Sequence, residues 1–390
     1  MRVLYIHGTA VPPPADPQRD PFYILSERLE GDVLHPIWFS NRKEVEDLFG
    51  PGSYPVYERG RFRYHWHLKR HYGGPINRMA ALWFYLSTGF RIYRQRRYDC
   101  IVTYSHMGTA LCGVVLKLLT GAKLIVEVTT SPGLAHVAEG RNPGMKERFK
   151  TLISELFLHI SLLSSNRAQL RAPGLLAPYR MLRNVPTSVL TGFVPVSLIP
   201  PSNGAEERNI LLVGTPWYLK GADFLIAAFQ RLSPDFPDVK LKLLGYYPDR
   251  QPLEALAAGL PRIEIMKERP NPEVLEIIAK ATIFVLPSRC EGTPRVMIEA
   301  MAAGVPAIGS DVGGIPYLLQ DDLAKDRQAG FVVPAGDVAA LEARIRQLLS
   351  DPELRSVMGA CGRERARNNF GEMAYREGFA QAVEDVVNGR

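Results

Sequence analysis

Pro287-Ser288-Arg289-Cys290-Glu291-Gly292-Thr293-Pro294-Arg295-Val296-Met297-Ile298-Glu299-Ala300-Met301-Ala302-Ala303-Gly304-Val305-Pro306 reads as a strand end, a loop, a helix and the next strand. Thr293 suits an N-cap, Pro294 the first helical position and Gly304 a left-handed stop, which predicts a helix over Arg295–Ala303. A helix that starts at the carboxyl end of a parallel strand aims its unpaired N–H groups and positive dipole end at the ligand crevice of an open α/β sheet. A diphosphate fits there. Glu291 precedes that helix and Glu299 lies within it, so loop and helix can each offer a carboxylate to the hydroxyls of a sugar or ribose.

Outward from this stretch, short apolar strands alternate with helix-length amphipathic segments, the pattern of a parallel sheet covered on both faces. Strands are expected at Asn209–Val213, Val239–Leu244, Arg262–Ile265, Thr282–Leu286, Val305–Ile308 and Phe331–Val333. Helices are expected near Ala222–Leu232, Pro272–Lys280, Arg295–Ala303 and Val338–Ser350. The first half opens with a Val3–Ile6 strand and later offers Cys100–Thr103 and Lys123–Val128 around a helix near Thr109–Thr120. That is a second α/β domain. Pro186, Pro195, Pro200 and Pro201 make Val185–Gly204 an extended connector, so the expected division is residues 1–190, residues 205–370 and a C-terminal helix over 371–390 packing back on the first domain.

The Pro-Ser before Glu291 and the Ala-Met-Ala-Ala-Gly-Val-Pro after Glu299 resemble the signature of family 4 of the retaining nucleotide-sugar glycosyltransferases. The resemblance continues through Ser310-Asp311-Val312-Gly313-Gly314-Ile315-Pro316, similar to that family's glycine-rich strand-to-helix turn. Val213-Gly214 followed by Lys220-Gly221-Ala222-Asp223 is similar to the segment in which its lysine meets the donor diphosphate. The family implies the GT-B fold, an α/β fold of two facing Rossmann-like domains with a catalytic crevice between them. It implies Lys220 on the phosphates, Glu299 on the ribose hydroxyls and Glu291 at the donor sugar, with the backbone of Gly292, Thr293 and Val296, beside Pro294, cradling phosphate and sugar. Gly245 fits a further tight strand-end turn. The family's usual arginine after Gly214 is replaced by Thr215, Pro216 and Trp217, so either Arg289 or Arg295 substitutes for it or donor binding is weaker.

On the acceptor side the match is weaker. His7-Gly8 follows the first strand, and the family's histidine after the Lys123–Val128 strand is absent, with His106 and His136 as nearby candidates. The implied reaction moves a hexosyl unit from a UDP- or GDP-linked sugar to a glycan, lipid-linked or small-molecule acceptor, with no cofactor and no metal. A sugar-nucleotide epimerase or phosphorylase of the same architecture, or a non-catalytic nucleotide-sugar binder, stays open.

Composition sets the frame. The chain has 390 residues, 46% hydrophobic, enough for two domains with separate cores. Met1–Ile6 runs straight into a strand with no apolar leader, and no run of about 18 apolar residues occurs, so a cytoplasmic protein is expected. Cys100, Cys112, Cys290 and Cys361 have neither metal-ligand nor disulfide spacing. Residues 1–200 hold 25 Lys and Arg against 14 Asp and Glu, a balance of +11, while residues 201–390 hold 22 against 26, a balance of −4. Residues 59–97 carry ten Lys and Arg and no acid, interleaved with aromatics such as Phe62, Tyr64, Trp66, Trp83 and Phe90. Such a run suits an anionic membrane surface at the inner face of the membrane. No nucleic-acid module is present.

Overall fold

The structure, a computed structural model, describes residues 1–8, 13–14, 16–38, 41–52, 56–69, 75–105, 107–129, 144–202, 207–319 and 328–390. His106, His136 and Arg70 lie outside them. Contacts divide the chain into a first unit of Met1–Pro132, Arg148–Thr191 and Tyr375–Arg390, and a second whose main part is Gly192–Ala374.

The first unit runs β1 (Arg2–Ile6), α1 (Pro21–Leu25), β2 (Glu30–Trp38), α2 (Asn41–Phe49), β3 (Val56–Arg59), β4 (Phe62–Lys69), α3 (Pro75–Gln95), β5 (Cys100–Tyr104), α4 (Gly108–Thr120), β6 (Lys123–Val128), α5 (Met145–Ser164), β7 (Arg167–Leu170) and β8 (Thr187–Val189). Its eight strands lie in the order β3-β4-β2-β1-β5-β6-β7-β8. Every pair is parallel except β3 with β4. Right-handed crossovers into β5, β6 and β7 place α3, α4 and α5 on one face. Leu4 and Ile6 join the core beneath that layer. Tyr5, between them in the alternation, packs against Phe22 at 4.8 Å.

The second unit runs β9 (Asn209–Val213), α6 (Ala222–Leu232), β10 (Lys240–Leu244), α7 (Gln251–Ala257), β11 (Ile263–Met266), α8 (Asn271–Ala279), β12 (Ile283–Leu286), α9 (Arg295–Ala303), β13 (Ala307–Ser310), α10 (Ile315–Leu319), β14 (Gly330–Val333), α11 (Val338–Ser350) and α12 (Pro352–Phe370), and α13 (Glu372–Val387) follows. Its sheet is wholly parallel in the order β11-β10-β9-β12-β13-β14, the Rossmann order, which reverses direction between β9 and β12.

Several expectations need correction. Pro294 is the N-cap of α9 and not its first helical residue, because its ψ of 110° is extended; Thr293 lies one position before it. The strand expected at Val305–Ile308 is Ala307–Ser310, since Val305 N–H still bonds the Ala300 carbonyl of the helix end and Pro306 has no N–H to give. The Val185–Gly204 connector holds β8 and a 3-10 turn at Val196–Leu198.

The acid-free run 59–97 is two different things. Its first part is strand, in which Phe62, Tyr64 and Trp66 are core and Arg59 is buried in an ion pair with Asp20 at 3.0 Å. These residues cannot reach a membrane. Its second part is α3, where Ile76, Met79, Trp83 and Phe90 are exposed. Among the described residues no helix is long and apolar enough to cross a membrane. All four cysteines are free thiols, and burial pushes that of Cys112 up to about 12.

Candidate active site

Beyond β9 the chain passes Gly214 and returns at Lys220 to start α6. Gly214 is glycine for lack of room, because a Cβ there would lie 2.9 Å from Lys220 Cγ. The lysine's aliphatic stem therefore lies over bare backbone, and its Nζ donates to Glu291 Oε1 at 2.7 Å. Ser288 Oγ donates to the same oxygen at 2.8 Å, and Ser310 Oγ fixes Ser288 through its carbonyl at 2.5 Å. Lys220 and Glu291 side chains are 17% and 7% exposed, so the pair is sheltered yet reachable. No described residue bonds Glu291 Oε2, and Nζ keeps two further donors.

Glu291 stands where it does because its loop is pressed from below. Gly313, at φ +55°, comes so close that a Cβ would sit 2.1 Å from the Glu291 carbonyl oxygen. Gly314 N–H then donates to the Gly292 carbonyl at 2.6 Å. Any side chain at position 313 would displace the backbone that carries Glu291.

Arg289 does not stand free to meet a phosphate. Its guanidinium forks onto Asp223 at 2.7 and 2.6 Å, donates to the Tyr218 carbonyl at 2.6 Å, and lies 3.7 Å over the Tyr218 ring and 3.9 Å over Phe224. It locks the β12–α9 loop to the start of α6. Arg295 is exposed in the first turn of α9. Glu299 is buried within α9, at 7% exposure. Burial and the adjacent Glu291 raise the Cys290 thiol above its ordinary value, which disfavours a nucleophilic thiolate.

Neighbouring strand ends brace the floor. Gly214 N–H bonds the Leu244 carbonyl at 3.0 Å and Thr215 Oγ1 donates to the Tyr246 carbonyl at 2.6 Å. Gly245 packs against this turn, where a Cβ would approach the Gly214 oxygen to 2.5 Å. Lys220 follows β9 and Glu291 follows β12, so both stand at the point where the strand order reverses, the place at which open α/β sheets bind ligands.

Residues 207–351 match the family model described as glycosyl transferases group 1. That span contains every residue of the Lys220–Glu291 cluster. Residues 207–351 are a glycosyl transferases group 1 domain. The chain is similar to the sulfoquinovosyl transferase of Arabidopsis thaliana, 30% identical over 164 residues, which are 42% of this chain and 31% of that protein. The chain spans less than half the length of the first curated relatives it matches. The fold is similar over 100% of both chains to sucrose-phosphate synthase from Thermosynechococcus elongatus, at a TM-score of 0.74 and 19% identity. HepE of Anabaena in complex with UDP is similar over 99% of this chain and 100% of its own, at a TM-score of 0.70 and 13% identity. The fold is GT-B.

In the first unit, His7 stacks between His35 at 4.5 Å and Tyr104 at 5.2 Å. Tyr85 Oη donates to the His7 carbonyl at 3.0 Å. Gly8 lines a pocket of about 840 Å³ with residues of α3, α4 and α5. Sequence reasoning missed Ser288 as the second donor to Glu291, Asp223 as the partner of Arg289, and this pocket. Ser288 and Glu291 are three residues apart on one loop, a spacing that signals a local bond, whereas Asp223 and Arg289 are far apart in the chain.

Proposed function

We propose that this protein is a retaining, metal-independent glycosyltransferase that moves a hexosyl unit from a nucleotide-diphospho-sugar, with UDP or GDP as carrier, to an acceptor hydroxyl. The observation that carries the reading is the Lys220–Glu291 pair at the point of strand reversal, beside the start of α9. Lys220 keeps two ammonium hydrogens for the diphosphate, and the free N–H groups at the start of α9 add a positive end to the same anion. Arg295 supplies a second cation. Both meet the negative charge that grows on the leaving group as the bond from C1 to phosphate oxygen breaks. The bond's electron pair leaves with the diphosphate, and the acceptor oxygen bonds C1 on the same face while its proton is released.

Glu299 takes the ribose hydroxyls, and Glu291 offers Oε2 to the donor sugar while Oε1 stays held by Lys220 and Ser288. Gly292, Thr293, Pro294 and Val296 line the path of the phosphates, and His7 and Gly8, with His106, belong to the acceptor side. HepE was solved with UDP, which supports a uridine carrier as the first to try.

The test is direct. Incubation with UDP- and GDP-hexoses, with EDTA present throughout, should release nucleoside diphosphate from at least one donor. Proton NMR should show the donor's anomeric configuration kept in the product. Recovery of an epimerised donor with no diphosphate released would replace the transferase with an epimerase.

A further inference from the structure

The pocket of the first unit has the wrong chemistry for a free sugar. Ala81, Leu82, Tyr85, Phe149, Ile153 and Phe157 form most of its wall, and among its lining residues only Arg78 and Lys150 are charged. It opens at the carboxyl ends of β1 and β5, lined there by Gly8, Tyr104 and Ser105, where the order of the eight-stranded sheet also reverses. Ser105, at φ +77°, is the one residue other than glycine held in the left-handed region among the described residues, the kind of strain that collects at ligand sites.

The surface around the opening continues the same chemistry. On α5, Phe149, Leu152, Leu156, Ile160 and Leu163 are exposed at spacings of three and four, one stripe of the helix, with Phe149 at 63%. On α3, Ile76, Met79, Trp83 and Phe90 form a second stripe, with Trp83 at 73%. Both helices touch the pocket, so stripe and pocket wall are adjacent strips of the same two helices. Scattered exposed apolar residues need no explanation, but two helical stripes beside an apolar pocket do. Cations are interleaved with them: Arg78, Arg91 and Arg94 on an α3 that has no acid, and Arg148 and Lys150 on α5 beyond Glu147, against the single acid Glu155.

We propose that this pocket takes the hydrocarbon chain of an anionic lipid acceptor, and that the stripes of α3 and α5 lie on the bilayer that presents it. Apolar side chains enter the hydrocarbon boundary while arginine and lysine meet phosphate or carboxylate heads, the arrangement of an interfacial helix. Arg78 and Lys150 stand at the pocket itself and would hold the acceptor's anionic group as its chain goes inward. The inference rests on the transferase reading for the word acceptor, but not for the binding of lipid.

The experiment uses the full chain and three probes. Sedimentation should show binding to vesicles of phosphatidylcholine mixed with phosphatidylglycerol, little binding to phosphatidylcholine alone, and loss of binding as salt is added. Dodecyl phosphate below its micelle concentration should raise the Tm, while inorganic phosphate should not. The double variant Arg78→Glu, Lys150→Glu should weaken both by about tenfold or more. Leu152→Asp with Leu156→Asp, at exposed positions, should lose the vesicles and keep dodecyl phosphate. Phe149→Asp should lose both.

Equal binding to neutral and anionic vesicles, or dodecyl phosphate binding unchanged by Phe149→Asp, would overturn the proposal. So would equal transfer to a chainless acceptor and to its dodecyl derivative, which would leave the transferase reading standing. Lipid binding without any diphosphate release would instead sink the transferase reading and leave the lipid site.

Discussion

At the carboxyl end of the six-stranded sheet, where its order reverses, the chain gathers Lys220, Ser288 and Glu291, whereas at the corresponding place in the eight-stranded sheet it gathers Leu82, Tyr85, Ile153 and Phe157. The same backbone device, a parallel sheet with a reversal of strand order, is filled with opposite chemistry. In the second unit a cation and a carboxylate are held 2.7 Å apart and left with spare hydrogen-bonding capacity. In the first unit buried charge is locked into structural pairs, Asp20 with Arg59 and Glu127 with Arg171, and most of the pocket wall is apolar. Fold alone therefore does not say what is bound; the side chains at the strand ends do.

The comparison is easiest to break at Lys220. Lys220→Ala removes the cation facing the leaving diphosphate and should lower kcat about 100- to 1,000-fold, the usual effect of deleting one preorganised stabiliser of transition-state charge. It also leaves Glu291 with Ser288 alone, so a small fall in Tm should accompany it. A kcat at the parent level in a folded variant would reduce Lys220 to a structural partner of Glu291. Lys220→Arg should recover part of the rate, since charge is kept and position is not.

Glu299 tests binding instead of turnover. Glu299→Ala should weaken nucleotide affinity by about 1.5–3 kcal/mol, about 10- to 150-fold, because hydrogen bonds to a charged group are lost. Calorimetric titration with UDP measures this directly. An unchanged Kd in a variant with the parent Tm would remove Glu299 from the nucleotide site.

The sequence made the second unit more legible than the first for physical reasons. The C-terminal end of helix α9 was readable to the residue because Gly304, at φ +81°, ends it, while its N-cap lies one residue later than expected, at Pro294. Asn209–Val213 and Ala222–Leu232 were equally plain, since fully buried strands and amphipathic helices have contrasting periods. In the first unit, Phe62, Tyr64 and Trp66 alternate with Arg63 and His65, a strand pattern that resembles a basic aromatic surface until its burial is known. The apolar pocket was harder still. Its walls come from segments around residues 8, 78–85, 104–109 and 149–157, and a helical stripe facing outward has the same period as one facing the core. Arg289 was misjudged because nothing local shows that Asp223 and two rings enclose it.

The smallest expected effect sharpens the contrast from the first unit's side. Asp32, buried in β2, accepts a bond from Arg2 at 2.8 Å and pairs with His65 Nε2 at 2.9 Å. Burial alone would raise its carboxyl, but the bonds from His65 and Arg2 outweigh that and hold it below the usual carboxylate range. A carboxyl depressed on folding stabilises the folded state above its unfolded pKa, about 3.9, and that contribution is lost as pH falls through the lower folded value. Asp32→Asn keeps the shape and removes the titration. The parent should exceed the variant in Tm by about 1–2 °C at pH 6, the scale of one interaction in a chain this long. The gap should close as pH drops below about 4. A gap that stayed constant down to acid pH would mean that Asp32 matters through packing and not through charge, and the picture of a first unit whose buried charges are spent on holding its own sheet would lose one of its supports.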